Sequence, residues 1–353
     1  MKELFTHLSL RTAYSLTDST IAIDTLIKKA KKHRITSLAI TDILNTFNAI
    51  KFYQACITNK IKPIIGCQIP ISNFEYDNQQ PFITLLCKDQ NGYKNLIKLI
   101  SDIHVKNTTS RLPSISIEEI EHYSNGLILC TGGYNGIVGK NLLHVEEALI
   151  RKHIKLLHQL FKKNMYIDIQ KTSHISEKLV IIKALNIAND IQLPIIATNN
   201  VLFVNKEDFE SHEVKVCINK KIKLDDRIEQ NEYTENQYFK TPDEMKDLYH
   251  DLPDAISNVG EVIKRCNLKL KLDTYHMPEF DAPDEIKIDD HFDNVVRKGL
   301  EDKLPMLDES KHSAYFDRLN TEMDVIKEMG FTSYFLIVHE FISWAKNNDI
   351  PVG

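Results

Sequence analysis

Short apolar runs recur through the first two hundred residues, separated by stretches with helical spacing. The runs are Ser37–Thr41 (SLAIT), Pro63–Ile71 (PIIGCQIPI), Phe82–Cys87 (FITLLC), Gly126–Thr131 (GLILCT), Met165–Gln170 (MYIDIQ) and Pro194–Thr198 (PIIAT). Between them, Phe47–Thr58, Tyr93–Ile103, Glu146–Phe161 and Ser176–Asp190 place apolar residues at helical spacing. Strands that are nearly all apolar are buried on both faces, which predicts parallel strands covered by helices. The alternation therefore predicts an α/β fold, either a β/α barrel or an open doubly wound sheet. The nearest thing to a phosphate loop, Thr131-Gly132-Gly133-Tyr134-Asn135-Gly136, lacks the Lys-Ser/Thr of a P-loop. The barrel is the expected form.

The pattern changes after about Lys240. Thr241-Pro242-Asp243-Glu244-Met245 reads as a capped helix start with proline at the first helical position. Helical pattern then continues through Leu268. The Pro- and Asp-rich stretch Tyr275–Ile288 reads as a boundary, and a second helical region runs from about Asp289 to Asn348. The abrupt stop at Ile350-Pro351-Val352-Gly353 has no tail composition, so the chain is expected to be a truncated piece. No internal repeat or low-complexity tract is present.

Composition sharpens this picture only in part. Hydrophobic residues at 42% and charged residues at 26% are ordinary for a globular chain, and 353 residues suffice for two or three domains. Six scattered cysteines with no CxxC pair, no signal-peptide core and no membrane-length apolar run point to a reducing cytoplasm. Net charge is −5, against the basic balance usual in a stand-alone DNA-binding domain. The densest basic run, Lys28-Lys29-Ala30-Lys31-Lys32-His33-Arg34, closes a helix built on Ile23, Leu26, Ile27 and Ala30, where cations suit the macrodipole. It reads as a solvated helix end.

Several segments together carry a resemblance. Phe5–Asp18 (FTHLSLRTAYSLTD), Ala39–Tyr53 (AITDILNTFNAIKFY), Ile61–Cys67 (IKPIIGC), Gly92–Ser101 (GYKNLIKLIS) and Ala197–Asp226 resemble, in order, the motifs of the polymerase and histidinol phosphatase (PHP) domain of bacterial C-family DNA polymerases, the polymerase III alpha subunits. Tyr238–Met245, Leu252–Ala255 and Arg265–Leu272 continue the match, and Glu322–Gly353 resembles the entry to the palm domain. The resemblance implies a distorted PHP-type β/α barrel of about seven strands, followed by a mostly helical segment entering the palm. It implies a PHP domain over 1–275, with the barrel ending near 205 and a helical extension after it. A linker and the truncated start of the palm are then expected over 276–353.

Intact PHP domains hold two or three metals on His, Asp, Glu and sometimes Cys at the C-terminal ends of barrel strands, where barrels place their chemistry. The matching positions here carry other residues. Ser9 and Arg11 stand for His-x-His, Ile43 follows Asp42 in place of a histidine, and Gln68 stands for a glutamate. Gly133 stands for a cysteine or histidine, with Cys130 three residues short of it, and Asn200 and Leu202 stand for the final Asp-x-His. Asp18 and Asp42 survive. Ile43, Gly133 and Leu202 offer no side-chain donor, Gln68 and Asn200 are neutral, and Arg11 would repel a cation. A vestigial pocket without metal is expected, in which an inward Arg11 pairs with Asp18 or Asp42.

His7 is read as a packing residue, His212 as ordering a helix start, His104 as a possible neighbour of the mouth, and His122-Tyr123 as a surface loop. No catalytic residue is nominated. The polymerase carboxylates and their Mg2+ are expected in the palm beyond residue 353. The acidic residues between 317 and 340 read as the polar face of a helix bearing Met323, Ile326 and Met329. Arg34, where relatives often carry glycine after the first helix, puts a non-Gly residue at a left-handed cap.

The implied function is that of the non-catalytic amino-terminal module of a replicative DNA polymerase, whose barrel buttresses the palm and docks other subunits. The expected partners are a separate 3′–5′ proofreading exonuclease, the sliding clamp and other holoenzyme subunits, with primer-template DNA and dNTPs for the whole protein and no membrane. Two alternatives stay open at this point: an error-prone accessory polymerase of the same family, and a metal-dependent phosphoesterase or nuclease.

Overall fold

All six apolar runs form strands, and they lie side by side in chain order: β1 (Ser37–Ile43), β2 (Lys62–Pro70), β3 (Phe82–Cys87), β4 (Leu127–Cys130), β5 (Met165–Gln170) and β6 (Ile195–Thr198). The computed structural model describes residues 5–16, 18–72, 80–106, 112–224, 233–272, 274, 276–283 and 286–353. The end of the Ala197–Asp226 motif and Tyr275, given above as the start of the boundary stretch, lie outside them.

The expectation of an all-parallel sheet is corrected by β3. It runs antiparallel to both neighbours, with Cys67 opposite Leu85 and Leu85 opposite Leu129, while β1–β2, β4–β5 and β5–β6 are parallel. The physical reason is the length of the connection. Residues 71–81 between β2 and β3 hold no helix among those described, and a parallel return needs a crossover of a dozen or more residues. Burial on both faces made the antiparallel strand look like its parallel neighbours.

The amino-terminal segment joins the two edges of this curled sheet. Leu10 is bridged in parallel to Val201, just past β6, through Arg11 N–H to the Val201 carbonyl (3.0 Å) and Val201 N–H to the Ser9 carbonyl (2.9 Å). On its other side, the Thr41 N–H of β1 donates to the Leu10 carbonyl at 2.7 Å. Residues 9–11 thus fill a seventh strand position.

Twelve helices are described: α1 (Ile23–Lys32), α2 (Ala49–Thr58), α3 (Gln90–Lys106), α4 (Ile117–Ile120), α5 (Glu147–Phe161), α6 (Glu177–Ile191), α7 (Phe209–Lys220), α8 (Pro242–Leu248), α9 (Pro253–Arg265), α10 (Ile288–Glu301), α11 (His312–Glu328) and α12 (Thr332–Asn347). Their starts and stops follow local chemistry. Thr241 and Glu244 form a capping box at α8, with Pro242 at the first helical position. α1 buries Ile23, Leu26, Ile27 and Ala30, and the chain turns out of it through Arg34 at φ 55°, with Ile35 N–H closing on the Ala30 carbonyl. All six cysteines are free and buried, and burial pushes the Cys56 and Cys266 thiols up to about 12. They pack as core residues. No described helix is long and apolar enough to cross a membrane.

The chain divides into two units, Met1–Leu270 and Lys271–Gly353. The first holds the sheet and α1–α9. The second is built on α10–α12 around Phe292, Met323 and Leu336, with Val295, Val296, Leu319 and Ile326 partly buried against them. Thr332 Oγ1 donates to Asp289 Oδ1 at 2.8 Å, tying the start of α12 to α10.

Candidate functional site

The register that closes the sheet also assembles the mouth. Successive residues of an extended segment face opposite sides, so Ser9 and Arg11 share one face while Leu10 enters the core. Arg11 is buried, and its guanidinium is held on two sides. Nη1 donates to Asp18 Oδ2, and Nε donates to Gln68 Oε1 at 2.8 Å. The Gln68 amide passes the chain on to Ser9 Oγ at 3.0 Å. Four of the motif positions, Ser9, Arg11, Asp18 and Gln68, thus form one hydrogen-bonded chain. The guanidinium carbon also lies 5.7 Å from the centre of the Phe82 ring.

Of the two carboxylates offered above as partners for Arg11, the structure gives it Asp18. Asp42 is held by its own set of donors: Thr12 N–H (2.6 Å), Thr12 Oγ1 (2.8 Å) and Ser15 Oγ (2.6 Å). Burial pushes the Asp42 carboxyl up from its ordinary range, while the Ser15 and Thr12 donors act the other way. Ile43, beside it, is half-buried at the end of β1.

Gly133 lies across the sheet against Gln170, a residue the motif comparison did not single out. A Cβ built on Gly133 would meet the carboxamide carbon of Gln170 at 2.2 Å, and Gly133 has φ +62°. Gln170 Oε1 accepts from Tyr134 N–H (3.1 Å), and its Nε2 donates to Thr198 Oγ1 (3.1 Å). Asp168, two residues back on β5, accepts from Gly132 N–H (2.7 Å) and Thr131 Oγ1 (3.0 Å), and burial raises its carboxyl. The signal for both was present in MYIDIQ, whose polar residues at 168 and 170 alternate to one face of the strand.

Asn200 and Leu202 flank the Val201 bridge to the amino-terminal segment. Asn200 sits in the left-handed region at φ 46°, with its buried Oδ1 unpartnered, and Leu202 is fully buried. His212 Nε2 lies 2.9 Å from the Asp18 carbonyl oxygen, and burial lowers its affinity for a second proton. His7 is buried between Phe5 and Phe239 with Nε2 at 2.8 Å from the Lys240 carbonyl oxygen, and burial lowers its pKa to about 4. His104 Nε2 lies 3.0 Å from the Leu44 carbonyl oxygen.

Two sequence readings need correction. His122 is exposed, but Tyr123 is buried, because its hydroxyl donates to Asp102 Oδ2 (2.5 Å) on α3 and draws the ring inward. Met329 caps the end of α11 and is 64% exposed, since the helix stops before its side chain can join Met323 in the core. Asp317, Glu322, Asp324, Glu328 and Glu340 are all exposed.

The donor set at the mouth does not fit a divalent metal cluster. Among the described residues no group of three or more His, Cys, Asp or Glu side chains is placed to hold a metal ion. The position between Asp18 and Gln68 is taken by a guanidinium that carries a fixed positive charge. No chemical step is assigned to a metal here.

A family model described as the PHP domain matches residues 7–172, and one described as the bacterial DNA polymerase III alpha NTPase domain matches residues 290–353. The DNA polymerase III alpha subunit of Pseudomonas aeruginosa is 36% identical over 99% of this chain. That of Buchnera aphidicola is 37% identical over 99%, and that of Escherichia coli K12 is 34% identical over 99%. Over nearly its whole length the chain is similar to DNA polymerase III alpha subunits, and it carries the PHP-domain match at its amino-terminal end. It spans 30–31% of the length of these curated relatives. Ser9, Arg11, Asp18, Asp42, Ile43, Gln68 and Gly133 fall inside the PHP match, whereas Asn200 and Leu202 fall after it.

Proposed function

We propose that this chain is the PHP-bearing part of a template-directed DNA polymerase, and that its barrel works as a scaffold and docking module. The observation that carries this reading is Arg11, whose ion pair with Asp18 and hydrogen bond to Gln68 fill the mouth where the PHP resemblance places metal ligands. A barrel filled in this way lacks, among its described residues, the ligand set that would hold a water-activating metal, so removal of mispaired nucleotides is not expected of it. That task falls to a separate 3′–5′ proofreading exonuclease docked on the barrel. Primer-template DNA, dNTPs, Mg2+, the sliding clamp and the other holoenzyme subunits belong to the whole cytoplasmic polymerase.

The test is surface capture of a purified polymerase III exonuclease subunit by the immobilised 353-residue chain, run beside a nuclease assay on a mispaired primer end with Mn2+ and Zn2+. Capture without primer degradation supports the reading. Metal-dependent degradation by the chain alone contradicts it. With a net charge of −5, the chain binds primer-template weakly and with strong salt sensitivity. Nanomolar binding at physiological salt contradicts that part.

A further inference from the structure

α2 carries apolar residues on both sides. Its inner face buries Phe52 and Cys56, but Ile50 and Ile57 on the other side are 42% and 54% exposed, and Phe47, in the turn before the helix, is 73% exposed. Ile50 and Ile57 lie on one side of the helix, about 10 Å apart at 1.5 Å per residue, and Phe47 precedes them in the turn. Lys51, Gln54 and Thr58 are exposed on the same helix, so its outer surface is a set of apolar side chains among polar ones.

The surroundings of these residues are cationic. Residues 21–62 carry eight Lys or Arg against two Asp or Glu, a balance of +6 within a chain whose total is −5. One of the two acids, Asp42, is buried in the barrel mouth. Lys28 and Lys31 on α1 and Lys51 on α2 are exposed and take part in no ion pair among the described residues. Lys31 Nζ donates to Asn59 Oδ1 at 3.1 Å, which sets the last turn of α1 beside the end of α2.

We propose that the α1–α2 face docks an acidic amphipathic helix of a partner protein. The proposal rests on the docking reading of the barrel and gives that reading a surface. The partner lays apolar side chains, spaced three and four residues apart, along Phe47, Ile50 and Ile57. Its Asp and Glu residues flank those contacts and meet Lys28, Lys31 and Lys51. A nucleic-acid backbone would satisfy the lysines but leave the isoleucines in water, so a protein helix fits both features of the face.

The test titrates the full 353-residue chain into a fluorescent synthetic peptide of about 18 residues, long enough to be helical, with Leu on one face and Glu flanking it. A scrambled peptide of the same composition and an oligo-dT of about 20 nucleotides serve as comparisons. The double variants Ile50→Glu/Ile57→Glu and Lys28→Glu/Lys31→Glu change exposed side chains, and unchanged thermal melting shows that they fold. The expected result is saturable peptide binding that falls with salt and weakens at least about tenfold in each variant. Absence of saturable binding, equal binding of the scrambled peptide, unchanged binding in either variant, or displacement of the peptide by oligo-dT overturns the proposal. Capture of the exonuclease subunit separates the two readings. Equal capture by wild type and both variants refutes this face and leaves docking intact. No capture by wild type removes the docking reading, while the peptide titration still decides the face.

Discussion

The carboxamide of Gln170 occupies the space into which any side chain at Gly133 would project, 2.2 Å from the position of its Cβ. A side chain placed at Gly133 has first to displace this carboxamide from its hydrogen bonds with Tyr134 N–H and Thr198 Oγ1. Gly133→Cys should destabilise the chain by about 2–4 kcal/mol, from the left-handed backbone and the overpacking together. Adding Gln170→Ala should recover the overpacking share, about 1–3 kcal/mol. Urea denaturation of the two single variants and the double variant checks this, and additive effects would show that the two residues do not compete for space.

Arg11 and Asp18 form a buried ion pair, so losing one partner strands the other. Arg11→Met is expected to cost about 3–5 kcal/mol, and the Arg11→Met/Asp18→Leu double variant clearly less than that single change. A double-mutant cycle by chemical denaturation measures the coupling. A coupling near zero would mean that Gln68, not Asp18, holds the guanidinium.

Arg34 turns the chain out of α1 at φ 55° and is exposed. Arg34→Gly should stabilise the chain by about 1 kcal/mol, because glycine adopts this conformation without a Cβ clash. The check is an upward shift of the urea midpoint at unchanged slope.

Burial holds the His7 pKa at about 4, below its ordinary value of 6.5. Between these values the unfolded chain binds more protons than the folded one, so stability is present above pH 6.5 and is lost as pH falls towards 4. The loss from this group is about 3 kcal/mol, at 1.36 kcal/mol per pH unit. Asp42, whose carboxyl is raised by burial, acts in the opposite sense as pH falls. The difference between wild type and His7→Gln isolates the histidine. His7→Gln should flatten the decline in stability between pH 6.5 and 4, and an unchanged slope would place the titration elsewhere.

Much of the fold was legible because its strands and helices carry local signals. The six apolar runs became β1–β6, and Thr241-Pro242 with Glu244 marked the start of α8. The antiparallel direction of β3 was not legible, because burial on both faces removes the alternation that separates the two strand types. At the site, an inward Arg11 required a carboxylate by charge alone, but only the folded chain chooses between Asp18 and Asp42. Thr12 and Ser15 decide it by saturating Asp42. Gln170 escaped attention because no motif position falls on it, although its alternation with Asp168 pointed inward.

The Arg11 guanidinium, held by Asp18 and Gln68, fills the barrel mouth where the PHP resemblance places metal ligands, and the proposed function rests on that filling. The most direct test of that filling is the metal content of the purified 353-residue chain after incubation with Zn2+ and Mn2+ and thorough desalting. The filled mouth predicts under about 0.1 metal per chain, because among the described residues no group of three or more His, Cys, Asp or Glu side chains is placed to hold a metal ion. Two or more tightly held metals per chain, lost on chelation, would contradict it and return the barrel to the hydrolases.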